Sequence, residues 1–173
     1  MKPNRIILVR HGQSEGNVNK TIYSQKEDWA INLTDTGREQ ARIAGRHIHC
    51  LGVERARFYL SPYYRARQTA EEIGQIVTPI FKKEDPRLRE QEWTTRLERE
   101  DLEKERSQFS RFYYRFEHGE SGADVYDRIS TFLETLYRDF NAENCPKNVI
   151  IVGHGFTNRI FSYAIFPLDA GGV

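Results

Sequence analysis

Two apolar runs, RIILV at 5–9 and NVIIV at 148–152, each end abruptly at a turn carrying a histidine–glycine pair. No other feature constrains the fold as much. The runs are continuous rather than alternating, which predicts strands covered on both faces, as in a parallel sheet between two layers of helices. In open α/β sheets, ligands bind beyond the carboxyl ends of the strands. His11 and His154 both fall at such ends, and each precedes a glycine that permits a tight turn. If the two strands are neighbours, the imidazoles face one another over one crevice. A single histidine there is as readily a half-buried turn residue with a satisfied hydrogen bond. Two in matched settings shift the balance toward chemistry.

The remaining pattern fits the same architecture. Residues 12–33 read as a polar loop with at most a short helix. A helix follows, capped by Thr34 or Thr36, the latter at capping-box spacing from Glu39. Its apolar stripe is narrow: Ala41, Ala44 and Ile48. ARFYL at 56–60 predicts a second strand, and Ser61-Pro62 opens a helix with Ala66, Ala70, Ile73 and Val77 on one face. A short strand is expected near 79–82. Val125, Ile129, Phe132, Leu136 and Phe140 recur at helical steps within 122–140, and a last helix follows His154. Residues 82–118 are densely charged and then turn to FSRFYYRF, which reads as an insertion or lid over one end of the sheet. The order predicts one three-layer αβα sandwich over 1–173 with a mostly parallel sheet.

Composition narrows the function. The 173 residues carry 26 basic and 25 acidic side chains, so no overall field exists to hold nucleic acid or an anionic membrane. Arginines interleave with aromatics at 109–116 in a way that suits base stacking, but acidic residues at 98–105 lie just before them. Cys50 and Cys145 belong to no CxxC pair and suggest no disulfide framework. The amino terminus shows no signal-peptide pattern and no stretch approaches a membrane span, so a cytoplasmic protein is expected.

Arginines sharpen the reading. Arg10 adjoins His11, and Arg65 lies in the helix that follows the second strand. The guanidinium fork matches phosphate oxygens, and loop and helix-start amides add donors for the same anion. Taken alone, Arg65 would better be read as a surface salt bridge to Glu71 or Glu72.

RHGQSEGN at 10–17, LTDTGREQA at 33–41, SPYYRARQTA at 61–70, the glutamate of LREQEW at 88–93 and GHG at 153–155 together resemble the histidine phosphatase superfamily, the phosphoglycerate mutase-like family. The matches run in family order across almost the whole chain. The resemblance implies a phosphatase that hydrolyses phosphate monoesters through a phosphohistidine. It makes His11 the nucleophile, Arg10, Arg65 and His154 the phosphoryl pocket, and Glu90 the proton donor to the leaving oxygen. Asn17, Ser14 and Gln13 fall in the loop near the substrate. No cofactor and no metal is required. The chemistry is coherent on its own terms. A neutral imidazole attacks if its other nitrogen donates to an acceptor near the Gly12 turn, and a shielded carboxyl gives and then takes the proton.

Phosphoglycerate mutase-type transfer is the alternative. That branch resembles RHGESxWN, an FTGW segment and an arginine-histidine-tyrosine run after the glutamate. Here Gly16, TIYSQKEDWAINLT and Gln91 stand instead. Arg111 and Arg115 leave room for a substrate with a second negative group, with Tyr113, Tyr114 and Phe116 as walls. A binding module for phosphorylated partners is the other class. The expected partner is a small phosphate ester, with a phosphoprotein and a homodimer left open. Family members usually continue past the GHG helix into another strand. FPLDAGGV at 166–173 supplies none, so a fragment or short form with an exposed sheet edge is expected.

Overall fold

The computed structural model describes residues 3–93, 99–110, 112–141 and 147–165. Arg111, Cys145 and the carboxyl-terminal segment on which a missing strand was argued lie outside these residues. The chain runs β1 (Arg5–Arg10), α1 (Glu15–Val18), α2 (Asp35–Cys50), β2 (Arg55–Leu60), α3 (Tyr64–Gly74), β3 (Thr78–Glu84), α4 (Arg99–Phe109), α5 (Gly122–Asn141), β4 (Asn148–Gly153) and α6 (Gly155–Ile165). Short 3₁₀ turns at Lys20–Ser24, Asp28–Ala30 and Pro86–Leu88 join them. The polar loop of 12–33 is therefore one short helix and two of these turns.

The strands lie in the order β1-β4-β2-β3, and all three pairings are parallel. The apolar runs now divide by parity, because successive side chains in a strand point to opposite faces. Val149 and Ile151 of β4 pack under α5 and α6, with Phe132, Leu136 and Phe161. Ile150 and Val152 pack against the other face, with Ile48, Ala70 and Ile73. β1 divides likewise, Ile6 and Leu8 to one side, Ile7 and Val9 to the other. No helix among the described residues is long and apolar enough to cross a membrane.

Local detail settles one alternative of the sequence reading and departs from it once. Thr34, not Thr36, caps α2, its hydroxyl accepting from the Gly37 amide at 3.0 Å. Glu39 instead pairs with Arg42 and Arg46. The buried stripe of α2 passes through Gly45 rather than Ala44, because a β-carbon at 45 would meet the Ile73 backbone at 3.3 Å. Glycine lets α2 and α3 lie close. The stripe read for α5 is buried throughout.

Residues 82–84 belong to β3, an edge strand exposed along its length. In FSRFYYRF, Phe116 is buried and Phe112 packs on the core, whereas Phe109 and Tyr113 face solvent.

Candidate active site

The register of β1 on β4 pairs Arg10 with Gly153 and brings both histidines to one end of the sheet. The His11 amide donates to the Gly153 carbonyl at 3.0 Å, and the two imidazole rings meet edge-on with centroids 5.2 Å apart. His11 Nδ1 lies 2.7 Å from the Gly12 carbonyl oxygen. A carbonyl can only accept, so Nδ1 carries the proton, and in the neutral imidazole Nε2 carries the lone pair.

The loop that holds His11 is fixed from two sides. The Gly12 amide donates to Thr69 Oγ1 at 3.1 Å, and the Thr69 hydroxyl donates to the Arg65 carbonyl at 2.7 Å. On the other side the loop lies backbone to backbone on the first turn of α2. A β-carbon at Gly12 would sit 2.3 Å from the Gly37 oxygen, and one at Gly37 would sit 2.0 Å from the Gln13 oxygen. Only glycine permits that approach.

Arg65 is 2% exposed, in the first turn of α3. It pairs with neither Glu71 nor Glu72; Glu72 is held by Arg38 and Arg42. Its partner is Asp28. Nη1 donates to the Asp28 carbonyl at 2.5 Å and lies 3.0 Å from Oδ1, and Nη2 donates to Oδ2 at 3.3 Å. The guanidinium also stacks over Tyr63. Burial, with the Asp28 charge second, pushes the Tyr63 phenol up to about 12, so the ring stays neutral beneath the cation.

Glu90 reaches the site from the segment after the third 3₁₀ turn. Its Oε1 accepts from the Gln91 amide at 3.1 Å and from the Thr157 amide at 3.3 Å, and lies 3.2 Å from the Thr157 hydroxyl oxygen. The same hydroxyl lies 2.7 Å from the Arg89 carbonyl. Behind it, Glu120 accepts from Arg89 at 2.5 Å, from Arg128 at 3.0 and 3.1 Å, and from the Glu92 amide at 3.1 Å. Burial draws the Arg128 guanidinium below its usual value, and Glu120 works against that.

A cavity of about 890 Å³ opens over this end of the sheet. Arg10, His11, Ser14, Asn17, Arg65 and Glu90 all line it. Asn17 Oδ1 accepts from the Ser14 amide at 3.0 Å and Ser14 hydroxyl at 3.1 Å, which orders the start of α1. His154 and Gln13 are not on the wall. His154 is fully buried, with Nε2 2.7 Å from Ser61 Oγ. Gln13 Oε1 accepts from the Thr34 hydroxyl at 2.8 Å, so that side chain serves the loop and α2 rather than the cavity.

Sequence reasoning passed over Asp28, Ser61, Thr69 and Thr157. Two of them carried a positional signal: Thr69 lies one helical turn after Arg65, and Thr157 opens the helix that follows His154. Among the described residues no group of three or more histidine, cysteine or acidic side chains could hold a metal ion.

A family model described as the histidine phosphatase superfamily (branch 1) matches residues 6–172. The phosphoglycerate mutase-like protein AT74 of Arabidopsis thaliana is 43% identical over an alignment covering 92% of this chain and 56% of the plant protein. This chain thus spans little more than half the length of that relative. The broad-range acid phosphatase DET1 of Saccharomyces cerevisiae is 27% identical, over 92% of this chain and 78% of the yeast protein. The solved structure of mycobacterial glucosyl-3-phosphoglycerate phosphatase Rv2419c aligns with a TM-score of 0.76 at 23% identity, covering 96% of this chain and 83% of that one. At that identity the likeness bears on the fold alone.

Proposed function

The chain belongs to the histidine phosphatase superfamily, and from that premise we propose that it hydrolyses phosphate monoesters through a phosphohistidine on His11. One observation carries the reading. His11 lines the cavity with Nδ1 tied to the Gly12 carbonyl, which leaves Nε2 as the nucleophilic nitrogen.

In the first step Nε2 attacks phosphorus as the bond to the ester oxygen breaks. Arg10 and Arg65 face the charge on the phosphoryl oxygens. Glu90 gives a proton to the departing oxygen, so an alcohol leaves. With Oε1 held by the start of α6, Oε2 is the oxygen that carries the proton. In the second step water attacks the phosphohistidine, Glu90 takes the proton, and inorganic phosphate leaves with His11 restored. Asn17 and Ser14 shape the loop beside the phosphoryl group. His154 supports it from behind, edge-on to His11.

Hydrolysis is favoured over mutase-type transfer by Gly16. That position resembles the mutase tryptophan, but a β-carbon there would lie 2.3 Å from Tyr23 Oη. Tyr23 occupies the space a side chain at 16 would need. A screen of small phosphate esters beside His11→Ala tests the proposal. Turnover is expected from the wild type and loss of at least a thousandfold from the variant. Hydrolysis surviving in the variant would overturn the nucleophile. Primer-dependent isomerisation would revive the mutase, and retained binding to a phosphopeptide without turnover would support a module.

A further inference from the structure

The cavity is far larger than a phosphoryl group, and its lining holds more than a phosphoryl pocket needs. Trp93, Phe112, Tyr126, Phe156 and Tyr163 line it with aromatic surface. Two further cations, Arg106 and Arg159, face the same space. Among the described residues, Glu90 is the only acidic one on the wall.

The arginines fall into two kinds. Arg65 is held by Asp28, and Arg106 is buried over the Trp93 and Phe116 rings. Arg10 and Arg159 are different: among the described residues neither guanidinium makes a hydrogen bond or an ion pair.

Helix α6 sets the spacing between these two. Gly155, its first residue, lies against Arg10; a β-carbon there would be 3.5 Å from Arg10 Nε. Phe156, Arg159, Ile160 and Tyr163 then follow on the cavity face. Four residues advance the helix about 6 Å, so Arg159 stands one turn outward from the phosphoryl pocket. Its side chain reaches an anion set roughly 6–10 Å from the phosphorus.

Resting on the hydrolase reading above, we propose that the outer cavity is a leaving-group subsite. It takes a phosphate monoester whose alcohol is a flat ring bearing a second anionic group. The ring lies among the aromatic walls, and the anion pairs with Arg159. The sequence reading had placed such a role with Arg111, Arg115, Tyr113, Tyr114 and Phe116. Arg115 pairs instead with Asp124, Tyr114 donates to Glu105, and Tyr113 points to solvent. Phe116 is buried beneath Arg106, and Arg111 is outside the described residues.

The test compares 4-carboxyphenyl phosphate with its neutral counterpart, 4-carbamoylphenyl phosphate. The expected wild-type preference in kcat/KM for the carboxylate is about tenfold. Arg159→Gln should bring that ratio close to one. Differences in leaving-group acidity cancel when one ratio is divided by the other. Trp93→Ala should depress both aryl esters relative to glycerol 1-phosphate. Titration of the product alcohols, 4-hydroxybenzoate against 4-hydroxybenzamide, reads the same preference without turnover. A preference that is absent in the wild type, or unchanged in Arg159→Gln, overturns the subsite and leaves hydrolysis standing. Loss of turnover on every ester, with the alcohol preference intact, overturns hydrolysis and leaves the subsite standing.

Discussion

At the scale of single residues, His11 depends on partners that are themselves held. Its acceptor was legible: a histidine followed by a glycine turn needs a nearby carbonyl, and Gly12 supplies it. Thr69 and Thr157 were less so: their places after Arg65 and His154 were a signal, but their value comes from where α3 and α6 dock. Asp28 left no signal at all; an acidic residue in a polar loop looks like a solvated charge. Removing the Thr157 hydroxyl in Thr157→Val should lower kcat about tenfold, with little change in KM, because the segment that carries Glu90 loses its tie to α6 at the Arg89 carbonyl. Steady-state kinetics on one ester checks this. Asp28→Ala leaves the buried Arg65 without its carboxylate. Stability should fall by about 2 kcal/mol, and inorganic phosphate should inhibit more tightly because Arg65 is no longer neutralised. Denaturant midpoints and product inhibition measure the two effects, and their opposite signs separate them from general damage.

At the scale of elements, periodicity located strands and helices well but misjudged contact. The α2 stripe is a case in point. Counting apolar side chains selects Ala44, whereas close approach to α3 selects Gly45, which has no side chain to count. The Thr36–Glu39 spacing failed for a similar reason, since Glu39 was worth more to Arg42 and Arg46 than to a helix start. The turn after β3 carries a pH-sensitive contact. Arg87 donates to both Asp85 oxygens, at 2.9 and 2.7 Å, and its amide adds a third bond at 3.0 Å. Burial works to raise the Asp85 pKa, but these hydrogen bonds outweigh it and hold the carboxyl below its ordinary value. A carboxyl held low when folded stabilises above its unfolded value of about 4, and that contribution is lost as pH falls through the lower folded value. Asp85→Asn should therefore cost about 2 kcal/mol at pH 7, with the gap to the wild type closing below about pH 4. Urea midpoints across that range read it.

At the scale of the whole molecule, one sheet order makes the site. Pairing β1 with β4 joins segments more than a hundred residues apart and puts both histidines at one end of the sheet, ring to ring. The two matching strand ends already pointed there. Their unequal settings were also visible, since Arg10 precedes one histidine and Gly153 the other. The structure adds that His11 faces the cavity while His154 is buried behind it. The outer cavity could not be read from the chain, because its walls come from Trp93, from Phe112 and Tyr126, and from α6, which share no motif. The central claim is the covalent bond between phosphorus and His11. The most direct measurement is rapid alkaline quench of turnover with ³²P-labelled phenyl phosphate, followed by peptide mapping. The account predicts label on the peptide carrying His11 and none on the peptide carrying His154. Label on His154, or rapid turnover with no labelled peptide at any quench time, would contradict it.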